Sequence, residues 1–382
     1  YGVELYSRPR EQSLLNTGRV GHKRGPGPGR GAAVLAAALL VMALAVGLVA
    51  GLVPLLAQGS ATGPFAYVAN RFSDNVSVID TSTNSVVATI SVGDLPYGVA
   101  AAPDGKTVYL TNFVSNTVSV IDTASNAVTA TVAVGAGPNH PAVTPDGARL
   151  YVPNGTSQTV SVINTSTNAV IATVSGVGDA RYTAITPDGT RAYFSRTNSN
   201  SISVINTSSN TLAATVDVGG PSIGIAVAPD GLRAYATVRV GDQGKVAVVN
   251  TDSASPTYHT VLAWITVATL QGGNLSSVAV TPDGTRAYVV NNNSNSVHVI
   301  RTSDNIILDI LNSVVGDPQA IALTPDGARA YVTSTFDSVK ALDIASGSPA
   351  YHTAIATISL GSGPSGIAIA PLPAATPTPV PP

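Results

Sequence analysis

The chain has no cysteine, which excludes disulfides, thiol catalysis and zinc–thiolate sites and leaves the compartment open. Charge is scarce too, with Asp, Glu, Lys and Arg making up 10% of 382 residues. Glutamate is nearly missing: Glu4 and Glu11 both precede residue 31, so every later acid is an aspartate. That removes the commonest partner for tuned acid–base pairs over most of the chain. From residue 31 onward, 19 Asp stand against 3 Lys and 10 Arg, a net charge of −6. Nucleic acid, whose phosphates need clustered Lys and Arg, is a poor partner for such a surface. After residue 65 no stretch keeps a helical apolar period without a turn signal. No Gly-x-x-x-x-Gly-Lys-Ser/Thr or His-Glu-x-x-His phrase occurs.

What the chain has instead is repetition. Tyr67, Tyr109, Tyr151, Tyr193, Tyr235, Tyr288 and Tyr331 are spaced 42, 42, 42, 42, 53 and 43 residues apart. A period of about 40 with strand-like content is the signature of a β-propeller, one repeat to a blade. Each period carries four phrases. An apolar run ends in a Pro-Asp-Gly turn, as in Ala142-Val-Thr-Pro-Asp-Gly147 and Val278-Ala-Val-Thr-Pro-Asp-Gly284. Proline presets φ, Asp suits the next position and Gly accepts positive φ, which is hairpin chemistry. The tyrosine phrase follows, as in Val108-Tyr-Leu-Thr-Asn112, then Val-Ser-Val-Ile-Asp/Asn-Thr from Val76, Val118 and Val160. A Thr/Asn turn and a β-branched run such as Asn84-Ser-Val-Val-Ala-Thr-Ile90 complete the period. Four such runs between turns predict a four-stranded antiparallel meander.

The ends of the array are out of phase. The first repeat starts at its tyrosine phrase, Phe65-Ala-Tyr-Val-Ala-Asn70, and the last adds an extra first phrase, Gly363-Pro-Ser-Gly-Ile-Ala-Ile-Ala-Pro371. Pairing Ile367–Ala370 onto the Tyr67 strand would close a ring and remove two exposed sheet edges. The expected fold is therefore all-β: a seven-bladed propeller over 65–371, closed by its C-terminal strand and preceded by one hydrophobic helix.

Tyr109-Leu-Thr-Asn112, Tyr331-Val-Thr-Ser334 and Tyr67-Val-Ala-Asn70, with their Thr-Pro-Asp-Gly hairpins, resemble the YVTN-type β-propeller repeat proteins. The resemblance covers about 65–371 and implies a bacterial or archaeal protein, often of the cell surface or surface layer, with no single activity. More distantly the fold is similar to lactonase-type propellers such as 6-phosphogluconolactonase.

Ahead of the repeats, six Lys/Arg lie within 1–30 and 27 uncharged residues fill 31–57. That length spans a bilayer, and the basic flank keeps 1–30 in the cytoplasm. A signal sequence, with an apolar core of about 7–15 residues, is the alternative, and Gly59-Ser-Ala61 offers a cleavage site. Either reading places the propeller outside the cytoplasmic membrane, membrane-anchored or secreted. Residues 58–64 read as a linker and 372–382 as a Pro/Thr-rich tail. Tyr1 in first position points to an alternative start codon or a partial reading frame, and the tail reads as a spacer towards a further segment.

Candidate chemistry is sparse. His259 and His352 share the phrase Ser-Pro-x-Tyr-His-Thr in two blades, and the first of these loops accounts for the 53-residue spacing. They are packing variants in this reading, with metal or partner binding as the weaker alternative. His298 replaces a usual serine on a third strand and reads as filler. The positions that begin the innermost strands are the variable ones: Tyr97, Asn139, His140, Arg181, Tyr182 and Gln319, aligned with Ile223, Ser276 and Ser365. In a propeller they ring the mouth of the central channel, where variation in a repeat scaffold most often carries binding. Core packing is expected to demand little of them.

The function expected is a non-enzymatic extracytoplasmic scaffold that binds a surface protein or glycan through this rim. It has no catalytic residue, no metal site and no cofactor; the membrane is a partner only through 31–57. The alternative is a lactonase-like hydrolase or isomerase using rim residues such as His140 and Arg181.

Overall fold

The computed structural model describes residues 63–268 and 274–373. The basic segment, the apolar stretch 31–57 with its expected helix, and the tail from residue 374 lie outside them. Among the described residues no helix is long and apolar enough to cross a membrane.

Seven four-stranded antiparallel sheets account for the strands of the described residues. Six of them use four strands consecutive in sequence. The seventh joins Phe65–Asn70, Asn75–Asp80 and Ser85–Ser91 to Pro364–Ala370, with Phe65 opposite Ala370 and Val68 opposite Ile367. The innermost strand Pro364–Ala370 also touches the innermost strands Pro96–Ala101 of blade 2 and Pro318–Leu323 of blade 7.

Burial follows position in the blade. The tyrosine strands and those after them are buried almost throughout, as in Phe65–Asn70, because neighbouring blades cover both faces. The outermost strands, such as Ser85–Ser91, bury only one residue. Seven apolar clusters form, each between two adjacent blades and each holding one of the seven tyrosines.

Five of the seven phenols bond to a side chain of the following blade, while the Tyr235 hydroxyl is buried without a partner. Tyr67 donates to Asn126 Oδ1 (3.1 Å), Tyr151 to Asn210 Oδ1 (2.7 Å) and Tyr331 to Asn84 Oδ1 (2.6 Å). All three asparagines sit at positive φ in the turn before the outermost strand, a conformation Asn tolerates through its short polar side chain. In two interfaces His takes the same place and the same φ of 62°: Tyr193 meets His259 Nε2 and Tyr288 meets His352 Nε2, both at 3.1 Å. Tyr258 and Tyr351 stack on these imidazoles at 3.6 and 3.7 Å. The Ser-Pro-x-Tyr-His-Thr loops are therefore a second way of closing the interface. Blade 5 also has a lengthened hairpin, Arg233–Val240 with Gln243–Asn250, so its loop supplies only part of the 53-residue spacing.

The Thr-Pro-Asp-Gly aspartates are consumed by their own turns. Thr144 Oγ1 and the Ala148 amide both donate to Asp146 Oδ1, at 2.5 and 2.9 Å, and Gly147 turns the chain at φ 72°. The Thr144 hydroxyl holds Asp146 below the usual carboxylate range.

Replacing Tyr331 by Phe strands the Asn84 Oδ1 and Thr81 carbonyl acceptors and is expected to cost about 1–3 kcal/mol in urea unfolding. Burial pushes the phenols of Tyr67 and Tyr331 up to about 12 from 10.0. Because the folded pKa is the higher, this stabilisation is complete below pH 10.0 and is lost as pH rises to about 12. A urea midpoint that stays flat between those pH values would count against the buried phenols.

Candidate functional site

The mouth of the channel is built where the innermost strands begin, and blade 3 departs from the pattern there. Its regular innermost strand shrinks to Ala142–Val143, because Pro138 and Pro141 supply no amide hydrogen to a ladder. Asn139 and His140 thus do not start a strand as the sequence pattern predicts. The Asn139 amide donates to Pro153 O (2.8 Å), and the His140 amide crosses to blade 4 and donates to Arg181 O (2.9 Å). Glycine at 98 permits the approach: a Cβ there would lie 2.5 Å from His140 Cα.

Three aromatic rings from blades 2, 3 and 4 meet at this point. His140 stacks on Tyr182 with centroids 3.7 Å apart and planes 12° from parallel, and Tyr97 tilts against its other side at 4.8 Å. Asn139 and His140 are both 8% exposed, and Asn139 Nδ2 donates to Gly137 O and Ala180 O. The expectation that packing asks little of these positions fails for this pair. Burial, then the charges of Arg181 and Arg71, hold the His140 imidazole well below its usual range, so it stays neutral. Tyr182 is half-buried, and desolvation pushes its phenol up.

Beside the stack lies a cavity of about 300 Å³ lined by Tyr97, Asn139, Arg181 and Asp179, and by Arg71 and Phe113 from the neighbouring turns. Two guanidiniums flank Tyr97: Arg71 Cζ lies 4.9 Å and Arg181 Cζ 5.8 Å from the ring centroid. Arg181 Nη2 also donates to the Tyr97 hydroxyl. Neither arginine is in an ion pair among the described residues, and the Nε of each is buried without a partner. Asp179 Oδ2 accepts from the Thr197 hydroxyl at 2.5 Å.

Of the six sequence-predicted residues, five come together: Tyr97, Asn139, His140, Arg181 and Tyr182. Gln319 does not. It lies on blade 7, where its amide donates to Asp317 O (3.2 Å), and two blade interfaces separate it from Tyr97. Arg71 and Phe113 were missed. They occupy the fourth position after the repeated tyrosine, where Gly155, Thr197, Arg239, Asn292 and Thr335 stand in other blades. That position varies as much as the one at the strand starts and was open to the same alignment. His259 and His352 face the preceding blade's tyrosine, which accounts for them as packing elements. His298 is a buried filler bonded to Ser296 Oγ (3.1 Å), with burial holding its imidazole below the usual range.

Replacing His140 by Ala opens the stack and is expected to cost about 2 kcal/mol in urea unfolding. The sign with pH is equally specific. The folded pKa lies below the unfolded value of 6.5, so the stabilisation is present above pH 6.5 and is lost as pH falls towards the folded value. His140→Phe keeps a ring and should flatten this acid slope; an unchanged slope in that variant would exclude His140 as its source.

No curated protein matches the chain. Among solved structures, Kuenenia stuttgartiensis hydrazine synthase is 25% identical over 72% of this chain and 90% of that chain, with a TM-score of 0.64. A functionally unknown protein from Desulfotomaculum acetoxidans DSM 771 is 19% identical over 81% of this chain and 99% of its own, with a TM-score of 0.69, a likeness of fold alone. Residues 107–219 match the model of the YNCE-like beta-propeller family, and the YVTN-type resemblance of the whole array agrees with that match.

Proposed function

We propose that the protein is a non-enzymatic extracytoplasmic binding module that captures an anionic group of a surface ligand in the rim cavity. One observation carries the reading: Arg71 and Arg181 converge on Tyr97 beside a cavity of about 300 Å³, and neither is in an ion pair among the described residues. A partly buried guanidinium with unsatisfied N–H groups gains most from a carboxylate or phosphate, whose oxygens match its donors. Burial depresses the His140 imidazole most, and the charges of Arg181 and Arg71 add to it. The chain is net negative, so this field is local rather than a property of the whole surface.

The pairing of Pro364–Ala370 with Phe65–Asn70 belongs to this reading as the closure of the ring. It fixes blade 1, which supplies Arg71, against blade 2, which supplies Tyr97. A hydrolase would need an imidazole free to face substrate and oriented by a carboxylate. The two faces of His140 are covered by Tyr97 and Tyr182, and the charges acting on it are those of Arg181 and Arg71. Export rests on the basic flank and the 27 uncharged residues of 31–57.

The capture reading is tested by titrating the purified full chain with citrate, acetate and inorganic phosphate at constant ionic strength. At a hundredfold excess over Kd, binding should stabilise the fold by about 2.7 kcal/mol. The Arg71→Ala/Arg181→Ala double variant should lose the response. An equal response in the double variant moves the anion elsewhere, and no response from any anion removes the reading. Export has its own test. Ala124 is exposed and the chain has no native thiol, so Ala124→Cys should react with a membrane-impermeant maleimide in intact cells. Labelling only after lysis would place the propeller inside.

A further inference from the structure

The rim carries a second feature that anion capture does not use, and it lies next to the cavity. Phe72 and Phe336 are 65% and 71% exposed, the two most exposed large apolar side chains among the described residues. They stand at the same repeat position, immediately after Arg71 in blade 1 and after Thr335 in blade 7. Each ring is supported from below by a glycine of the loop entering its own blade. A Cβ on Gly363 would come within 2.5 Å of the Phe72 ring, and one on Gly316 within 2.7 Å of the Phe336 ring. Each ring thus lies against a glycine and leaves most of its surface open to water. Two such rings at the same repeat position of adjacent blades, one of them beside the arginine-lined cavity, are the surface on which the inference is built. Arg71 ties the platform to the cavity, because its guanidinium lies 5.4 Å from the Phe72 centroid and 4.9 Å from that of Tyr97.

Resting on the anion reading above, we infer that the ligand is an acidic glycan, a chain of sugars bearing carboxylates, laid from the Phe336–Phe72 platform into the cavity. Three features select this chemistry. The apolar C–H face of a pyranose suits an open, braced phenyl ring, and two rings in adjacent blades suit successive sugars of a chain. The cavity also mixes its charges. Asp179, with Oδ2 already taken by Thr197, accepts but cannot donate, so beside the two arginines it calls for a ligand presenting hydroxyls as well as an acid group. Exposed Thr156 and Asn198 on the same wall are further partners for hydroxyls.

An acidic peptide fits less well. Peptides that join a β-protein by strand addition need free backbone donors. Here the amides of Arg71, Phe72 and Phe113 are spent on Gly363 O, Ser362 O and Leu95 O.

The experiment is calorimetric titration of the purified full chain with oligogalacturonate, its methyl ester, poly-L-glutamate and monomeric galacturonate. Oligogalacturonate should bind about tenfold or more tighter than the ester and than poly-L-glutamate, a difference of about 1.4 kcal/mol. Phe72→Ala and Phe336→Ala should each weaken oligogalacturonate binding by about tenfold. The same variants should leave monomeric galacturonate, which occupies the cavity alone, unchanged. Both phenylalanines are exposed, so their loss should leave urea unfolding within about 0.5 kcal/mol of wild type. If citrate binds but oligogalacturonate binds no tighter than poly-L-glutamate, the glycan inference falls while the anion reading stands. If the ester binds as well as the acid, or the phenylalanine variants bind unchanged, the inference also falls. If no anion binds, both fall together.

Discussion

Everything in this propeller leans on the contact between one blade's tyrosine and the turn of the next. A blade buries both faces only against its neighbours, so the interface must be specified again from blade to blade. Apolar packing alone is forgiving of angle. A phenol that must reach one acceptor across a dry interface is not, because a buried hydroxyl without a partner costs free energy that a well-placed one does not. The acceptor has to stand at positive φ to point back at the preceding blade. Asn does this in blades 1, 2 and 4, and His does it in blades 5 and 7, where a longer loop brings a larger side chain to the same spot. The stacked Tyr258 and Tyr351 fill the width that an imidazole leaves open.

With the interfaces set, each repeat position becomes a circle. Residues about 42 apart in sequence stand side by side at one mouth of the channel, so neighbouring repeats can assemble a site that none of them contains. Tyr97, His140 and Tyr182 are such a case, one ring from each of three blades. Arg71 and Arg181 belong to two different repeat positions and to blades 1 and 4, yet both reach Tyr97. The uniform array supplies a rigid frame, and the few departures from uniformity supply the chemistry. Braced phenylalanines on blades 7 and 1 and mostly polar groups on blades 3 and 4 give the rim a direction.

The sequence by itself determined the architecture. Seven tyrosines, the Thr-Pro-Asp-Gly hairpins and the out-of-phase ends specify seven four-stranded blades, because turn chemistry and strand preference act within a few residues and repeat faithfully. Those local rules also placed Tyr97, Asn139, Arg181 and their neighbours at the channel mouth.

What only the tertiary structure decided is which of those residues meet. Gln319 satisfied the alignment as well as Arg181 did, but it stands on a different blade, away from Tyr97. Arg71 lay at a variable position of the tyrosine strand's exit, and its approach to Tyr97 exists only once blades 1 and 2 are docked. Burial of His140 depended on Pro141 breaking a strand and on Gly98 leaving room for the backbone. The two His loops read as packing variants in the sequence, but that they close onto Tyr193 and Tyr288 of the preceding blades is a fact of the fold. Strand-forming forces are local and show in the chain, whereas contacts between blades depend on distances set by folding, which no single repeat records.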